Sequence, residues 1–205
     1  MQRAGVEAGR RQALIDAAIV MIGEHGSLDV PVKEIATRAG MSSALAFHYF
    51  GGKDEIIVET MRYLLRQCTQ VMSAGLSRAK SPRQRMDAIL RASFGGDQFD
   101  RTTIAAWLTF YLKAFSNPKA ARLLAIYTAR LESNLVHAFK LCGMEDHAVR
   151  DARMLGALID GIYIRHALRP DGPDTAEALA DCRALVDALT NSGSGSSSGP
   201  RGEAN

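Results

Sequence analysis

The sequence predicts an all-α protein of about nine helices, in which a small three-helix unit precedes a larger helical bundle. Three observations support this fold class. Apolar residues recur with the period of a helix in nearly every segment. No run alternates apolar and polar residues as a half-buried strand would, and no hairpin turn separates such runs. Glycines and prolines fall between the periodic segments, where helices end and begin.

The first three predicted helices are separated by glycines. The first spans residues 7–25 and ends at Gly26, as a C-terminal glycine would end it. The second spans residues 32–39, and Gly40 then breaks the chain. Ser42 is a good N-cap for a third, short helix that ends before a pair of glycines. The sequence therefore predicts a three-helix unit within the first fifty-odd residues.

Six further helices are expected to form a bundle, because their apolar surface exceeds what the small N-terminal unit can cover. Their predicted bounds are residues 54–77, 82–95, 101–115, 118–141, 146–168 and 175–189. The last residues, 191–205, are rich in glycine and serine and are predicted to be disordered. The chain thus divides into an N-terminal unit, 1–53, a helical domain, 54–190, and this tail.

The composition argues against several classes of protein. No apolar run is long enough to cross a bilayer, and the N-terminus lacks the apolar segment of a signal peptide, so we expect a cytoplasmic protein without a membrane partner. Cys68, Cys142 and Cys182 are dispersed, which argues against a disulfide framework and a metal site, and no cofactor is expected. The net charge of +3 is a weak indicator, but residues 35–53 contain no acid and could lie against phosphate.

Two short helices joined by a tight turn are the arrangement in which one helix crosses the DNA backbone and the next enters the major groove. Here the two segments are VKEIATRAG and MSSALAFHYF. The small side chains of Ala36 and Ala39 let the helices approach, and Gly40 permits the bend. Helical bundles that bind no DNA contain similar corners, so the pattern by itself leaves both interpretations open.

The run IATRAGMSSALAFHYFGGKDEII resembles the signature of the TetR family of DNA-binding repressors, and the close match covers about residues 10–60. The segments RRQALIDAA, AAWLTFY, SNLV and ALIDGIYIRHAL are similar to BetI-type regulators of choline and glycine-betaine metabolism. This looser likeness is spread over the whole chain. Together the resemblances imply a homodimeric repressor that binds a palindromic double-stranded DNA operator and is released from it by a small-molecule effector.

The resemblance also implies which residues contact DNA. Ser42 would cap the recognition helix and touch phosphate, and Lys53 would contact phosphate at the start of the fourth helix. The predicted DNA-binding residues are Arg38, Ser42, Ser43, Ala44, Leu45, Phe47, His48, Tyr49 and Lys53. Hydroxyls can bond bases or phosphates, and small apolar side chains can contact thymine methyls. The sequence departs from the family pattern at Ala46 and Phe47, which leaves the operator sequence open, and core packing is an alternative role for Tyr49.

An effector site is predicted from aromatic residues in the helical domain. Trp107, Phe110 and Tyr111 share one face of the sixth helix, at positions i, i+3 and i+4. Such a face serves a core as well as a ligand, but aromatic rings hold quaternary ammonium groups, and the BetI-type resemblance implies a choline-like cation. The predicted effector-binding residues are Phe94, Phe99, Trp107, Phe110, Tyr111, Tyr127, Asp160 and Tyr163.

The eighth helix is apolar on most sides, and the resemblance implies that it forms a dimer interface with the ninth. The predicted interface residues are Leu155, Ile159, Ile162, His166 and Leu185. Asp160 interrupts this helix, and a buried carboxylate needs a partner. It either faces a cationic effector or pairs with Arg165 or His166 of the other protomer.

The sequence also bears on other functions, namely catalysis, protein interaction without DNA binding, and a different class of effector. The sequence contains no Walker loop and no HExxH motif, and its histidines are dispersed, so we expect no enzyme. A helical protein-interaction module without DNA binding is the rival from another class. Among repressors, the effector could instead be hydrophobic, which a long apolar tunnel would favour over an acidic, aromatic pocket.

Overall fold

A computed structural model describes residues 2–95 and 99–194, and these form nine α-helices without a strand. The helices are α1 Gln2–His25, α2 Val32–Arg38, α3 Ser43–Phe50, α4 Lys53–Arg78, α5 Pro82–Phe94, α6 Arg101–Ala114, α7 Pro118–Leu141, α8 Ala148–Ala167 and α9 Thr175–Ser194. The predicted all-α fold class and helix order are confirmed. None of the helices in the described part of the chain is both long enough and apolar enough to span a membrane.

Helix ends follow the local chemistry of the sequence. The Ser42 hydroxyl accepts from the Leu45 amide at 3.3 Å and caps α3, while Asp100 caps α6 by accepting from two amides. Gly40 and Gly51, on either side of α3, have φ values of +69° and +76°, a backbone region that favours glycine. Because these signals act between near neighbours, the sequence located most helix ends within a few residues.

Two helix ends differ from the prediction. The helix α1 begins at Gln2, a turn and a half before residue 7, and α9 extends to Ser194. Residues 191–194 are therefore helical and not part of a disordered tail, and 195–205 lie outside the described residues. Adding a turn to an existing helix avoids the cost of nucleation, so weak helix formers can extend one.

The apolar core has two clusters of buried residues. One joins α1–α4 to Ala106, Trp107 and Phe110 of α6, and the other fills the bundle formed by α4–α9. A side chain at Gly23 in α1 would lie 2.4 Å from the backbone oxygen of Thr102 in α6, so the two helices approach too closely for any Cβ. The N-terminal unit is thus packed directly on α6.

Candidate functional site

The exposed surface of α3 is small and partly aromatic. Ala44, Phe47 and His48 point to solvent at positions i, i+3 and i+4, whereas Ala46 and Phe50 are buried against the other helices. The Phe47 ring is 46% exposed, an unusual position for a phenyl group on a short helix. Ser43, Leu45 and Tyr49 are half-buried at the edges of this surface. The predicted contacts on α3 therefore lie on one accessible helix face and its margins.

Arg11 of α1 holds the C-terminal end of α3. Its Nη1 donates to the backbone oxygen of Tyr49 at 2.6 Å, and its guanidinium lies 4.6 Å from the centre of the Phe50 ring. A cation at the last carbonyls of a helix is favoured by the helix dipole, and stacking on an aromatic ring adds to this. Arg11 thus fixes the angle between α1 and α3, a role that the sequence reading did not assign to it.

Two predicted DNA-binding residues are paired with carboxylates within the protomer. Arg38 donates to both oxygens of Glu24 at 2.9 and 3.2 Å, and the Lys53 ammonium lies 3.1 Å from Asp29. Exposed pairs of this kind contribute little to stability, so a phosphate could replace the carboxylate at small cost. The Ser42 oxygen accepts the capping bond, and its hydroxyl proton stays free to donate.

A cavity of about 290 Å³ lies between α6, α7 and α8. Its lining consists of Trp107, Leu108, Tyr111, Leu112, Tyr127, Ile159, Asp160, Tyr163 and Ile164. Four of these side chains are aromatic, four are aliphatic and one is a carboxylate. No basic side chain lines the cavity, as far as the described residues go. Such a lining suits a small molecule that is largely apolar and carries a positive charge.

Hydrogen bonds fix the polar groups of the cavity. The Tyr111 hydroxyl donates to Oδ1 of Asp160 at 3.0 Å, and the Tyr163 hydroxyl donates to the backbone oxygen of Ser93. The rings of Trp107 and Tyr127 lie 5.6 Å apart and are inclined by 32°, so they form one continuous wall. The rings therefore face the cavity in set orientations, with Asp160 at its edge.

Burial raises the pKa of Asp160 above its usual value, while the hydrogen bond from Tyr111 opposes that rise. Burial also raises the pKa of Tyr111, and the neighbouring Asp160 charge raises it further, so the phenol keeps its proton and acts as a donor. A bound cation would favour the ionised carboxylate. The charge state of Asp160 would thus be coupled to the binding of any cation there.

The structure brings together five of the eight predicted effector residues, Trp107, Tyr111, Tyr127, Asp160 and Tyr163. The other three do not line the cavity. Phe110 is fully buried in the core shared with α1 and α4, because it lies on the opposite side of α6 from Leu112. Phe94 and Phe99 are buried behind the cavity, where Phe99 packs edge-on against Tyr163 at 5.1 Å.

Four lining residues were missed because they are aliphatic and carry no chemical signal of their own. They are Leu108, Leu112, Ile159 and Ile164. A helical-wheel argument could have found the first two, since they alternate with Trp107 and Tyr111 on one side of α6. The same argument could have found the two isoleucines, since each lies four residues from a predicted effector residue of α8, Ile159 from Tyr163 and Ile164 from Asp160.

The residues predicted for a dimer interface require correction. Leu155, Ile159, Ile162 and His166 are 0–5% exposed within a single protomer, where they pack into its core, and Leu185 is half-buried against the same cluster. Nδ1 of His166 accepts from the Asp174 amide at 3.1 Å. Because α8 uses this face within its own protomer, Leu155, Ile159, Ile162 and His166 are not free to contact a second subunit.

Two models of protein families match this chain, one in its N-terminal part and one in its C-terminal part. Residues 14–60 match the model for bacterial regulatory proteins of the tetR family, and residues 82–191 match the C-terminal model of BetI-type transcriptional repressors. A regulator named HTH-type transcriptional regulator BetI, from Brucella anthropi, is 52% identical over 180 residues, which cover 88% of this chain and 93% of its own.

Solved structures share the fold. A proposed transcriptional regulator from Pseudomonas aeruginosa PAO1 is 25% identical, with a TM-score of 0.76 and coverage of 88% of this chain and 90% of its own. A second, from Saccharomonospora viridis, was solved in complex with choline. It is 21% identical, with a TM-score of 0.78 and coverage of 86% and 95%.

Proposed function

The chain belongs to the tetR family of bacterial regulatory proteins and is a transcriptional regulator of the BetI type, and from this premise we propose that a small organic cation releases it from its DNA. The cation would be a quaternary ammonium compound of the choline class. We infer that the protein has no catalytic activity and acts in the cytoplasm, where its operator would lie.

The lining of the cavity carries the proposal. A trimethylammonium group donates no hydrogen bond, so a site must hold it by ring faces and by negative charge. Trp107, Tyr127 and Tyr163 supply rings, and Asp160 supplies the charge at the cavity edge. Each ring contributes about 0.5–2 kcal/mol when it faces a desolvated cation. The choline bound to the Saccharomonospora viridis regulator supports the same ligand class.

Release from DNA would begin at α6. Trp107 belongs both to the cavity lining and to the core that joins α6 with α1–α4. Nζ of Lys113 in α6 lies 3.0 Å from Oδ1 of Asp54 in the first turn of α4. Asp54 directly follows the predicted phosphate contact Lys53. A ligand that prefers one position of α6 would therefore change the angle of the N-terminal unit. Only such a preference shifts the balance between DNA-bound and free protein.

We further propose that the regulator binds a palindromic operator as a homodimer, since two half-sites about 34–36 Å apart need two recognition helices. The exposed face of α8 replaces the buried one as the proposed interface. It carries Met154, Ala157, Gly161, Ile164 and Leu168. The neighbouring α9 exposes Ala176, Ala180, Ala184 and Ala188, four small residues in one row. Such flat helix faces can pack closely against a second copy.

A hydrophobic effector is the second candidate. Four aliphatic side chains, those of Leu108, Leu112, Ile159 and Ile164, make up nearly half of the cavity lining. An uncharged ligand would use these contacts and gain nothing from Asp160. A cationic effector would therefore depend on the Asp160 carboxylate, whereas a hydrophobic effector would not.

Calorimetry with choline and its uncharged isostere 3,3-dimethylbutan-1-ol separates the candidates. The Asp160→Asn variant should bind choline about 10–100-fold more weakly, because it loses the attraction between the carboxylate and the cation, which is about 1–4 kcal/mol for unit charges 4 Å apart near a protein surface. Its affinity for the isostere should stay the same. Asp146→Asn, at an exposed site outside the cavity, is the matched control. Tighter binding of the isostere than of choline by the unaltered protein would favour the hydrophobic effector.

A further inference from the structure

The predicted recognition helix, α3, carries two phenyl groups, and the fold buries only one of them. Phe50 is 7% exposed and lies beneath the Arg11 guanidinium. Phe47, one turn earlier, is 46% exposed, although phenylalanine is among the residue types most often buried. The middle of α3 therefore presents an apolar ring that is free to contact another molecule.

The surface around Phe47 has few polar groups and no acid. Its exposed neighbours on the helix are Ala44, one turn before it, and His48, directly after it. Residues 35–53 include neither aspartate nor glutamate. A surface without carboxylates can approach the phosphates of DNA, but of these three side chains only His48 can form a hydrogen bond with a base. Reading of base edges on this face is therefore left largely to apolar contacts.

The helix holds the Phe47 ring in a set position. The Ser42 hydroxyl caps the first turn, and the Phe47 carbonyl accepts from the Gly51 amide at 2.6 Å in the last. Arg11 of α1 donates to the Tyr49 carbonyl at 2.6 Å. Because α3 is fastened at both ends before it meets DNA, little backbone ordering would oppose a contact made by this ring.

We propose that Phe47 recognises the C5-methyl group of pyrimidines in the major groove of the operator. Thymine presents this methyl group in the major groove, where an apolar side chain such as phenylalanine can contact it. Successive bases of a strand are about 3.4 Å apart, so one ring can touch the methyl groups of two adjacent pyrimidines. The inference rests on the proposed binding of an operator and does not depend on the effector.

The group that Phe47 recognises is thus a methylated pyrimidine and not thymine alone. A phenyl ring forms no conventional hydrogen bond, so it does not distinguish the O4 atom of thymine from the amino group of cytosine. The ring should accept 5-methylcytosine in place of thymine, whereas uracil and unmodified cytosine lack the group that it contacts. Methylation of a cytosine at such a position should then raise the affinity for that site.

The test uses the full-length protein and a duplex that the protein selects from a library of random sequences. Deoxyuridine replaces each thymine of this duplex in turn, which removes one methyl group and keeps the base pair. At one or two positions in each half-site, the affinity measured by fluorescence anisotropy should fall about fourfold, the value for one buried methyl group. Phe47→Ala should bind the thymine and uracil duplexes equally well at those positions.

Two further variants and a salt titration separate this role from others. Phe47→Tyr keeps the ring and should retain the fourfold difference between thymine and uracil. Ile126→Ala is the matched control, because Ile126 is apolar, 51% exposed and located on α7, and it should change neither affinity. The slope of log affinity against log salt should be the same for Phe47→Ala as for the unaltered protein. A reduced slope would make Phe47 a determinant of phosphate contacts and overturn the proposal.

The remaining outcomes distinguish the inference from the proposed function. Equal affinity of the unaltered protein for the thymine and uracil duplexes at every position would overturn methyl recognition and leave operator binding standing. A fourfold difference that persists in Phe47→Ala would assign the methyl contact to another side chain and overturn the role of Phe47. Failure to select any palindromic duplex would overturn the proposed operator, and this inference with it.

Methylated cytosine provides a second measurement on the same proteins. At a position that is sensitive to uracil, a cytosine–guanine pair replaces the thymine–adenine pair, with and without the C5-methyl group on cytosine. Methylation should raise the affinity of the unaltered protein about fourfold and leave that of Phe47→Ala unchanged. Equal affinity of the unaltered protein for both duplexes would overturn the recognition of 5-methylcytosine.

Discussion

The exposed face of α3, the predicted recognition helix, belongs to eight consecutive residues, Ser43–Phe50, whereas the cavity takes its lining from three helices that are far apart in the chain. On α3, a single N-cap and two flanking glycines set which side chains reach solvent. In the cavity, the packing of α6, α7 and α8 decides which side chains face one another. The exposed face of a short helix is thus a local property of the sequence, whereas a cavity between helices is a property of the bundle.

The core of the N-terminal unit and the cavity meet at α6, and replacing Trp107 there should have the largest effect. Trp107 is 4% exposed and belongs to the core shared with the N-terminal unit, so Trp107→Ala should cost about 3–5 kcal/mol in the free energy of unfolding. Leu112→Ala changes the same cavity at an exposed site and should cost less than about 0.5 kcal/mol. Urea unfolding at one protein concentration measures both. Similar small losses would mean that the regions do not share a core.

The contact between α1 and α6 gives the next largest effect. Gly23→Ala should destabilise the protein by about 1–3 kcal/mol, because the new methyl group would meet the backbone of Thr102. Gly9→Ala, in the same helix with open space around it, should stabilise by up to about 1 kcal/mol through helix propensity alone. Thermal unfolding of the two variants compares them directly. A stabilising Gly23→Ala would show that the helices are not held at this distance.

Replacing Arg11 tests the position of α3, the predicted recognition helix. Arg11→Met removes the bond to Tyr49 and should weaken operator binding by about tenfold, since bonds to charged groups contribute about 1.5–3 kcal/mol. Its salt dependence should stay unchanged, because Arg11 positions α3 and touches no phosphate. Lys53→Ala, at a predicted phosphate contact, should instead reduce the slope of log affinity against log salt by about one. Fluorescence anisotropy at several salt concentrations measures both slopes, and a reduced slope for Arg11→Met would make it a phosphate contact.

The smallest predicted effect is the pH dependence of choline binding. Burial raises the pKa of Asp160 above the ordinary 3.8, against the hydrogen bond from Tyr111. As the pH falls through this raised pKa, the carboxylate takes up a proton and loses its attraction for the cation, so the affinity should fall at a higher pH than for an ordinary aspartate.

The contribution of Asp160 to folding stability depends on pH in the opposite direction from its contribution to choline binding. A raised pKa means that the folded state holds the proton more tightly, so the contribution of Asp160 to stability is present in acid and is lost as the pH rises through the folded pKa. For choline binding, calorimetry across acidic and neutral pH should show that the affinity of the unaltered protein falls as the pH is lowered. The Asp160→Asn profile should be flat, and a parallel decline in that variant would assign the effect to another group.

Much of this could be predicted from the sequence. Nine helices, the Ser42 cap and the pairing of Trp107 with Tyr111 on one side of α6 all follow from periods and caps along the chain. The assignment of Phe110 to the cavity was wrong because positions i, i+3 and i+4 span a wide arc of a helix, and a bundle can divide that arc between two neighbours. In this protein Phe110 packs in the core with α1 and α4, whereas Trp107 and Tyr111 line the cavity.

The sequence by itself determined where the helices lie and which residue types each one carries, because capping, helix breaking and helical period act between near neighbours. Only the tertiary structure decided which surface of α8 is free. Three of its most apolar residues, Leu155, Ile159 and Ile162, are covered by the same protomer, and the face that includes Met154 and Ile164 is left exposed. Periodicity shows that a helix has an apolar face, but burial depends on which helices pack against it, and those come from distant parts of the chain.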